Sequence, residues 1–312
     1  PVRTSGASLR RAILTSDTIW PVDLMAEGYK DGIVQRAIDL GFDPVEAIQM
    51  ASLNPAEHFG IDGEIGGIAP GRYADVVVFP DLRTVKPECV ISNGKVVVWQ
   101  RDLLVKASAP VPPPAGLGNP SFPRLLSPEE WTINAHGKSA RVRVIQFNGG
   151  IVTTEKIVEL PVQSGTLRAD PARDLLKVAV FDRRGRGRVA VGFVEGLGLR
   201  EGALASTLVF DTGDVTIVGS REDEMTLAAK AVLEAGGGIA VVRNGVVAEL
   251  LALPIGGVLS PLPAAELAAK LKALERLLRA LGCAHPNPFL AFQILTFLAI
   301  PSLRISSRGL FD

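Results

Sequence analysis

Between Ala107 and Pro123 the chain carries six prolines, at 110, 112, 113, 114, 120 and 123. Proline lacks a backbone donor and fixes φ, so such a run joins neither a helix interior nor a central strand. It reads as a stiff, extended linker over 107–124. A chain of 312 residues divided in this way folds as parts that lie before and after it.

In the first part, Ile13-Leu14-Thr15-Ser16-Asp17-Thr18-Ile19-Trp20-Pro21 predicts a short buried strand, Ala12 to Leu14, that delivers Asp17 at its carboxyl end. In parallel β/α folds the loops after those strand ends converge on the active site. A carboxylate placed there can ligate a cation and accept a proton from water. An Asp that caps a following turn satisfies the same pattern. Ile33, Val34, Ala37 and Ile38 share one helical face, and Gly41 stops that helix. Asp43-Pro44-Val45-Glu46 and Asn54-Pro55-Ala56-Glu57 each read as a cap, a proline at the first helical position and a reciprocating Glu, so two short helices meet at Ser52. From Ile61 the pattern becomes strands and turns: Ala74 to Phe79, Cys89 to Ile91, then Lys95 to Trp99 after the hairpin signal Asn93-Gly94.

Beyond the linker, strands are predicted at Ala140–Phe147, Ile157–Val162, Leu175–Phe181, Val189–Val194, Leu208–Phe210 and Val215–Val218. Ser220-Arg221-Glu222-Asp223 is expected to cap a helix that runs to Ala235, ended by Gly236-Gly237-Gly238, and Asn244-Gly245 turns a second hairpin, Ile239–Val242 with Val246–Leu253. After Ser260-Pro261 comes a helix with leucines at 267, 271, 274, 278 and 281, a single apolar stripe stopped by Gly282. The fold class is α/β with β-rich parts, and no internal repeat is visible.

Charge narrows the partners. Thirty-three basic and 33 acidic residues cancel, so no global field draws the chain to nucleic acid or an anionic membrane. The longest apolar run, Phe289 to Ile300, is too short to span a bilayer. Cys89 and Cys283 sit far apart in apolar surroundings, which suits buried thiols and a cytoplasmic setting. The chain opens at Pro1 without a leader pattern and with nothing upstream to pair its first strand, so it is expected to be the carboxyl-terminal part of a longer protein.

Two blocks carry a resemblance. Ser52-Leu53-Asn54-Pro55-Ala56-Glu57-His58-Phe59-Gly60 with Gly66-Gly67-Ile68-Ala69-Pro70-Gly71-Arg72-Tyr73-Ala74-Asp75-Val76-Val77-Val78 resembles the close of an amidohydrolase-superfamily enzyme. The second is Val191 to Leu199 (VGFVEGLGL) with Gly202-Ala203-Leu204-Ala205-Ser206, Gly236-Gly237-Gly238, Leu253-Pro254-Ile255-Gly256-Gly257 and Arg308-Gly309-Leu310-Phe311-Asp312. It is similar to the extra carboxyl-terminal domain of bacterial adenine deaminases. The resemblance implies the end of a (β/α)8 barrel at 1–60, part of a small composite β-sandwich at 61–106, and a carboxyl-terminal α/β domain at 125–312. It also implies hydrolysis of adenine to hypoxanthine and ammonia, a binuclear divalent metal centre of Mn or Fe, and a homo-oligomer. The strand-eight carboxylate that binds metal and shuttles the proton corresponds to Asp17; no residue is assigned to substrate binding.

The chain departs from the family at Thr18, where a second Asp is usual, at Tyr29, where a His is frequent nearby, and across Phe210 to Asp214, including Gly213, where two histidines flank an Asp-Ser pair. A related small nitrogen heterocycle, another amino-substituted ring, or a catalytically silent binding or assembly protein therefore stays open. Its three histidines, His58, His136 and His285, have no His-x-His spacing, so the chain does not assemble a metal site alone. His58 reads as a structural or surface residue on its helix, and the other two as loop residues. Arg183 to Arg188 reads as a solvated hairpin tip, Gly236–Gly238 as a helix stop and not a phosphate cradle. Asp211 and Asp214 fit equally a lid and an ordinary turn.

Overall fold

The computed structural model describes residues 5–106, 114, 120–122 and 124–312. The chain divides into two compact units, Pro1–Val111 and Pro112–Asp312.

In the first unit come four helices, α1 (Pro21–Glu27), α2 (Lys30–Asp39), α3 (Pro44–Ala51) and α4 (Leu53–Phe59). The expected α2 stripe buries Val34 and Ala37, which cluster with Ala47, Met50 and Val85. Asp43 caps α3 as predicted, accepting from Val45 N and Glu46 N, with Pro44 at the first position. The matching device at Asn54 is not a cap. Ser52 occupies the N-cap position of α4, and Asn54 lies inside the helix, 8% exposed. An amide on the inward face finds better partners across the fold than at its own helix end, and Asn54 Nδ2 donates to Leu9 O and Ala12 O.

The strand expected at Ala12–Leu14 is also absent as a strand. That segment takes no ladder partner among the described residues, and Ile13 is 38% exposed. Its backbone is satisfied sideways instead: Leu14 N donates to Met50 O, and Leu14 O accepts from Lys30 Nζ. Leu9, Ala12 and Leu14 nevertheless pack on the α2–α3 cluster. The rest of the unit is an antiparallel meander, β1 (Val76–Val78), β2 (Cys89–Ser92), β3 (Lys95–Trp99) and β4 (Asp102–Leu103), with Asn93-Gly94 turning β2 into β3.

Pro-rich residues 107–113, 115–119 and 123 lie outside the described residues. The end of the predicted linker is folded, not free. Ser121 N donates to Arg183 O, and the Phe122 ring meets Phe181 edge-on at 4.9 Å.

The second unit contains β5 (Ile133–Asn134), β6 (Ser139–Phe147), β7 (Thr153–Pro161), β8 (Thr166–Leu167), β9 (Leu175–Phe181), β10 (Val189–Glu195), β11 (Ala203–Ser206), β12 (Val215–Gly219), α5 (Glu222–Glu234), β13 (Gly238–Arg243), β14 (Val246–Ala252), α6 (Ala264–Ala280), α7 (Pro288–Ile294), β15 (Arg304–Ser306) and β16 (Gly309–Phe311). Eight strands form one mixed sheet in the order β14-β13-β11-β12-β9-β10-β6-β7. Only the β10–β6 pairing is parallel. All seven residues of β9 are buried. Ala179, Phe181, Ala203, Val215 and Ile217 pack with α5. Alternation sends Val178 to the other face, where Gly192 lies against Ile305 and Leu310 of the β15–β16 ribbon.

Three further expectations change. The strand placed at Leu208–Phe210 lies instead at Ala203–Ser206; Ser206 Oγ accepts from Leu208 N and turns the chain out of the sheet. Ser220 does not cap α5; its hydroxyl donates to Gly202 O, and Glu222, Asp223 and Glu224 supply the negative charge that the helix start favours. The helix after Ser260 begins only at Ala264, with Leu271, Leu274, Leu278 and Leu281 buried and Leu267 half-buried. Gly236–Gly238 does end α5, through Gly236 N to Leu233 O and Gly237 N to Val232 O.

Candidate functional site

Asp17 lies three residues after Leu14 and is exposed. Its φ of 51° places it in the left-handed region, which Asp tolerates better than most residues. Its N–H donates to Thr15 Oγ1 at 3.4 Å, and its carbonyl accepts from Ser16 Oγ at 3.3 Å. Its carboxylate makes no hydrogen bond or ion pair with any described residue, and it caps nothing: Trp20 occupies the N-cap position of α1, with no side-chain cap bond. The backbone therefore sets the direction of the Asp17 Cα–Cβ bond, and no described side chain holds the carboxylate beyond it. Thr18 beside it is also exposed. Among the described residues no group of three or more His, Cys, Asp or Glu side chains is arranged to hold a metal ion. One exposed carboxylate is not a metal centre, which takes three or more protein donors.

A cavity of about 670 Å³ in the same unit is lined by Tyr29, Lys30, Val34, Ile48, Phe79 and Val85 among others. Nothing in the sequence pattern marks it, because its walls come from helices and strands distant in the chain. Lys30 Nζ is already engaged by Leu14 O, and Asp31 Oδ1 by Tyr29 N.

The histidines separate. His58 is exposed, edge-on to Phe59 at 4.9 Å, and His136 is exposed in a loop. His285 is in a loop yet only 5% exposed, with Nε2 3.0 Å from Gly150 O and Nδ1 2.9 Å from Asn287 O. Burial of this kind has no local signature. Arg184, Arg186 and Arg188 are exposed between β9 and β10, whereas Arg183 folds back onto Gly256 O. Asp211 accepts from Ala299 N at 3.3 Å. Asp214 is 8% exposed and accepts from Arg183 N and Ser307; burial pushes its carboxyl above the ordinary value, against the lowering effect of those bonds. Both aspartates are thus tied within their own unit. Cys89 and Cys283 are buried free thiols, and burial pushes the Cys283 thiol up, which disfavours a reactive thiolate.

Comparison with known proteins gives first the broad class: the amidohydrolase family model matches residues 13–97. The model of the adenine deaminase C-terminal domain matches residues 150–312, just over half of the chain. The chain belongs to that family. It is 40% identical over 307 residues to an adenine deaminase of Moorella thermoacetica, covering 97% of this chain and 52% of the relative. It is 41% identical over 301 residues to one of Methanothermobacter thermautotrophicus, covering 96% and 54%, and 37% identical over 313 residues to one of Rubrobacter xylanophilus, covering 98% and 52%. The chain spans about half the length of the curated relatives it matches. Among the described residues no helix is long and apolar enough to cross a membrane.

Proposed function

We propose that the protein containing this chain hydrolyses adenine to hypoxanthine and ammonia, with residues 1–60 closing a (β/α)8 barrel, 61–106 contributing to a composite β-sandwich and 125–312 forming the family's carboxyl-terminal domain. The observation that carries the reading is continuous similarity to adenine deaminases along 307 residues, through both matched family regions in order. Asp17 is the proposed proton carrier. Attack of water on C6 forms a C–O bond while the Asp17 carboxylate takes the water's proton. Return of that proton to the exocyclic nitrogen lets the C–N bond break, and ammonia leaves.

Asp17 is also proposed as one ligand of a divalent metal, Mn or Fe, whose other donors lie outside the described residues. Adenine is the proposed small-molecule partner, in a cytoplasmic homo-oligomer that requires neither nucleic acid nor a membrane. Thr18 and Tyr29 favour one second reading, a relative acting on a different amino-substituted ring. The full-length protein, supplied with adenine and then with a panel of such rings, is expected to release ammonia and hypoxanthine in equal amounts from adenine. Release from another ring and not from adenine would replace adenine as substrate; release from none would overturn the hydrolase reading.

A further inference from the structure

The Asp17 Cα–Cβ bond is carried by a segment that pairs with no strand among the described residues. Lys30 Nζ donates to Leu14 O at 2.9 Å, three residues before Asp17, and Leu14 N donates to Met50 O at 2.9 Å. Further back, one nitrogen serves two carbonyls: Asn54 Nδ2 lies 3.0 Å from Leu9 O and 2.8 Å from Ala12 O. Each acceptor would face a backbone N–H in a paired strand; here α2 and α4 supply side-chain donors, and only Leu9 O has a backbone donor as well, the N–H of Ala12 at 2.9 Å.

The chemistry of the second latch is restrictive. A primary amide carries two hydrogens on one planar nitrogen, which is what two converging carbonyls require. Asp in that place would turn an oxygen toward two oxygens, Ala would leave Ala12 O without its donor and Leu9 O with only the N–H of Ala12, at half-buried positions, and Gln is a methylene too long. The helix bearing Asn54 is itself closely seated. Gly66, at φ +88°, crosses so near that a Cβ there would lie 2.7 Å from Ala56 Cβ.

We infer that Asn54 and Lys30 are positioning residues for Asp17: by holding the carbonyls of Leu9, Ala12 and Leu14 they fix the backbone whose left-handed turn aims its carboxylate. The inference rests on the deaminase reading of Asp17. A displacement of about 1 Å at a reacting group can cost roughly 10²-fold in rate even when its origin is remote. Neither residue touches substrate in this account.

The test uses the full-length protein and the variants Asn54→Asp, Asn54→Ala, Lys30→Met and Lys30→Arg. Lys30→Met keeps the apolar stem at a half-buried position and serves if the Asn54 variants fail to fold. Two readouts are taken: amide exchange of residues 9–17 without substrate, and kcat and KM for adenine. The expected result is exchange of 9–17 faster by about tenfold in Asn54→Asp and Lys30→Met, the size of a lost interaction of ~1.4 kcal/mol, with exchange at the β2–β3 hairpin unchanged. In the same variants kcat should fall by roughly tenfold to 10²-fold, with KM within about threefold. Lys30→Arg, which keeps a cationic donor, should retain most of kcat.

Unchanged exchange overturns the latch. Faster exchange with wild-type kcat overturns its positioning role, leaving a structural bond only. If the wild type releases no ammonia from adenine, the deaminase reading fails by that result alone, while the exchange comparison still decides whether the segment is latched.

Discussion

The segment at 9–17 and strand β9 make opposite uses of the same backbone chemistry. In β9 every residue is buried, and both edges are paired by the antiparallel neighbours β12 and β10. At 11–17 the residues alternate between exposed and half-buried, and the carbonyls of Leu9, Ala12 and Leu14 accept from the Asn54 and Lys30 side chains. A ladder is cooperative and tolerates loss of one side chain's hydrogen bond. A latch made of two side chains concentrates that dependence in two residues, and it sits next to the carboxylate that the proposed chemistry needs.

The contrast predicts where damage should register as stability and where as activity. The largest stability loss is expected at Phe181, which is fully buried beside Trp131 and Phe122. Phe181→Ala should cost about 3–5 kcal/mol in denaturant unfolding followed by fluorescence, whereas Ile13→Ala, on the exposed side of its segment, should cost well under half as much. Equal losses would erase the distinction.

Next in size is the buried cation of β9. Lys177 Nζ donates to Trp131 O at 2.9 Å and to Glu222 Oε1 at 2.7 Å, with its side chain 2% exposed and that of Glu222 20%. Burial raises the Glu222 carboxyl, yet the Lys177 hydrogen bond and nearby positive charges bring it below its ordinary value. Lys177→Met should cost about 2–3 kcal/mol, less than a fully buried pair because Glu222 keeps some solvent. Glu222→Gln in the same background should recover part of that loss.

A smaller effect belongs to the one side-chain N-cap among the described residues of the first unit. Asp43→Ala should cost ~1 kcal/mol, measured as faster amide exchange in α3. The smallest is a pH effect. Asp214 has a folded-state pKa raised by burial, so the folded form binds more protons than the unfolded one; stability from this group is greatest below the unfolded value, near 3.8, and is lost as pH rises through the folded value. Asp214→Asn should therefore gain stability relative to wild type as pH rises through that window. A difference independent of pH would show that Asp214 titrates alike in both states.

Where chemistry is local, the sequence was legible. Asn93-Gly94 and Asn244-Gly245 turn hairpins because both residues of each pair adopt positive φ, 48° and 74°, then 52° and 72°. Asp43-Pro44 capped its helix, and the leucines of α6 formed one stripe. What failed depends on partners across the fold. Asn54 carried a capping pattern but found better acceptors more than 40 residues away. Ala203–Ser206 became a central strand although three of its four residues, Ala203, Ala205 and Ser206, have little intrinsic strand preference, because β12 and β13 pair it on both sides. Phe122 entered the second unit's core from a run whose prolines argued for a free linker. Asp17 does lie exposed after Leu14, but the strand expected to deliver it is absent, and the side-chain bonds from Asn54 and Lys30 behind it had no local signature.

Ammonia release from adenine by the full-length protein and its Asp17→Asn variant, compared under identical conditions, bears most directly on Asp17 as the proton carrier. Loss of a positioned acid-base group predicts a fall of roughly 10²–10⁴-fold in kcat in a variant that remains folded. Undiminished turnover with asparagine at position 17 would contradict it.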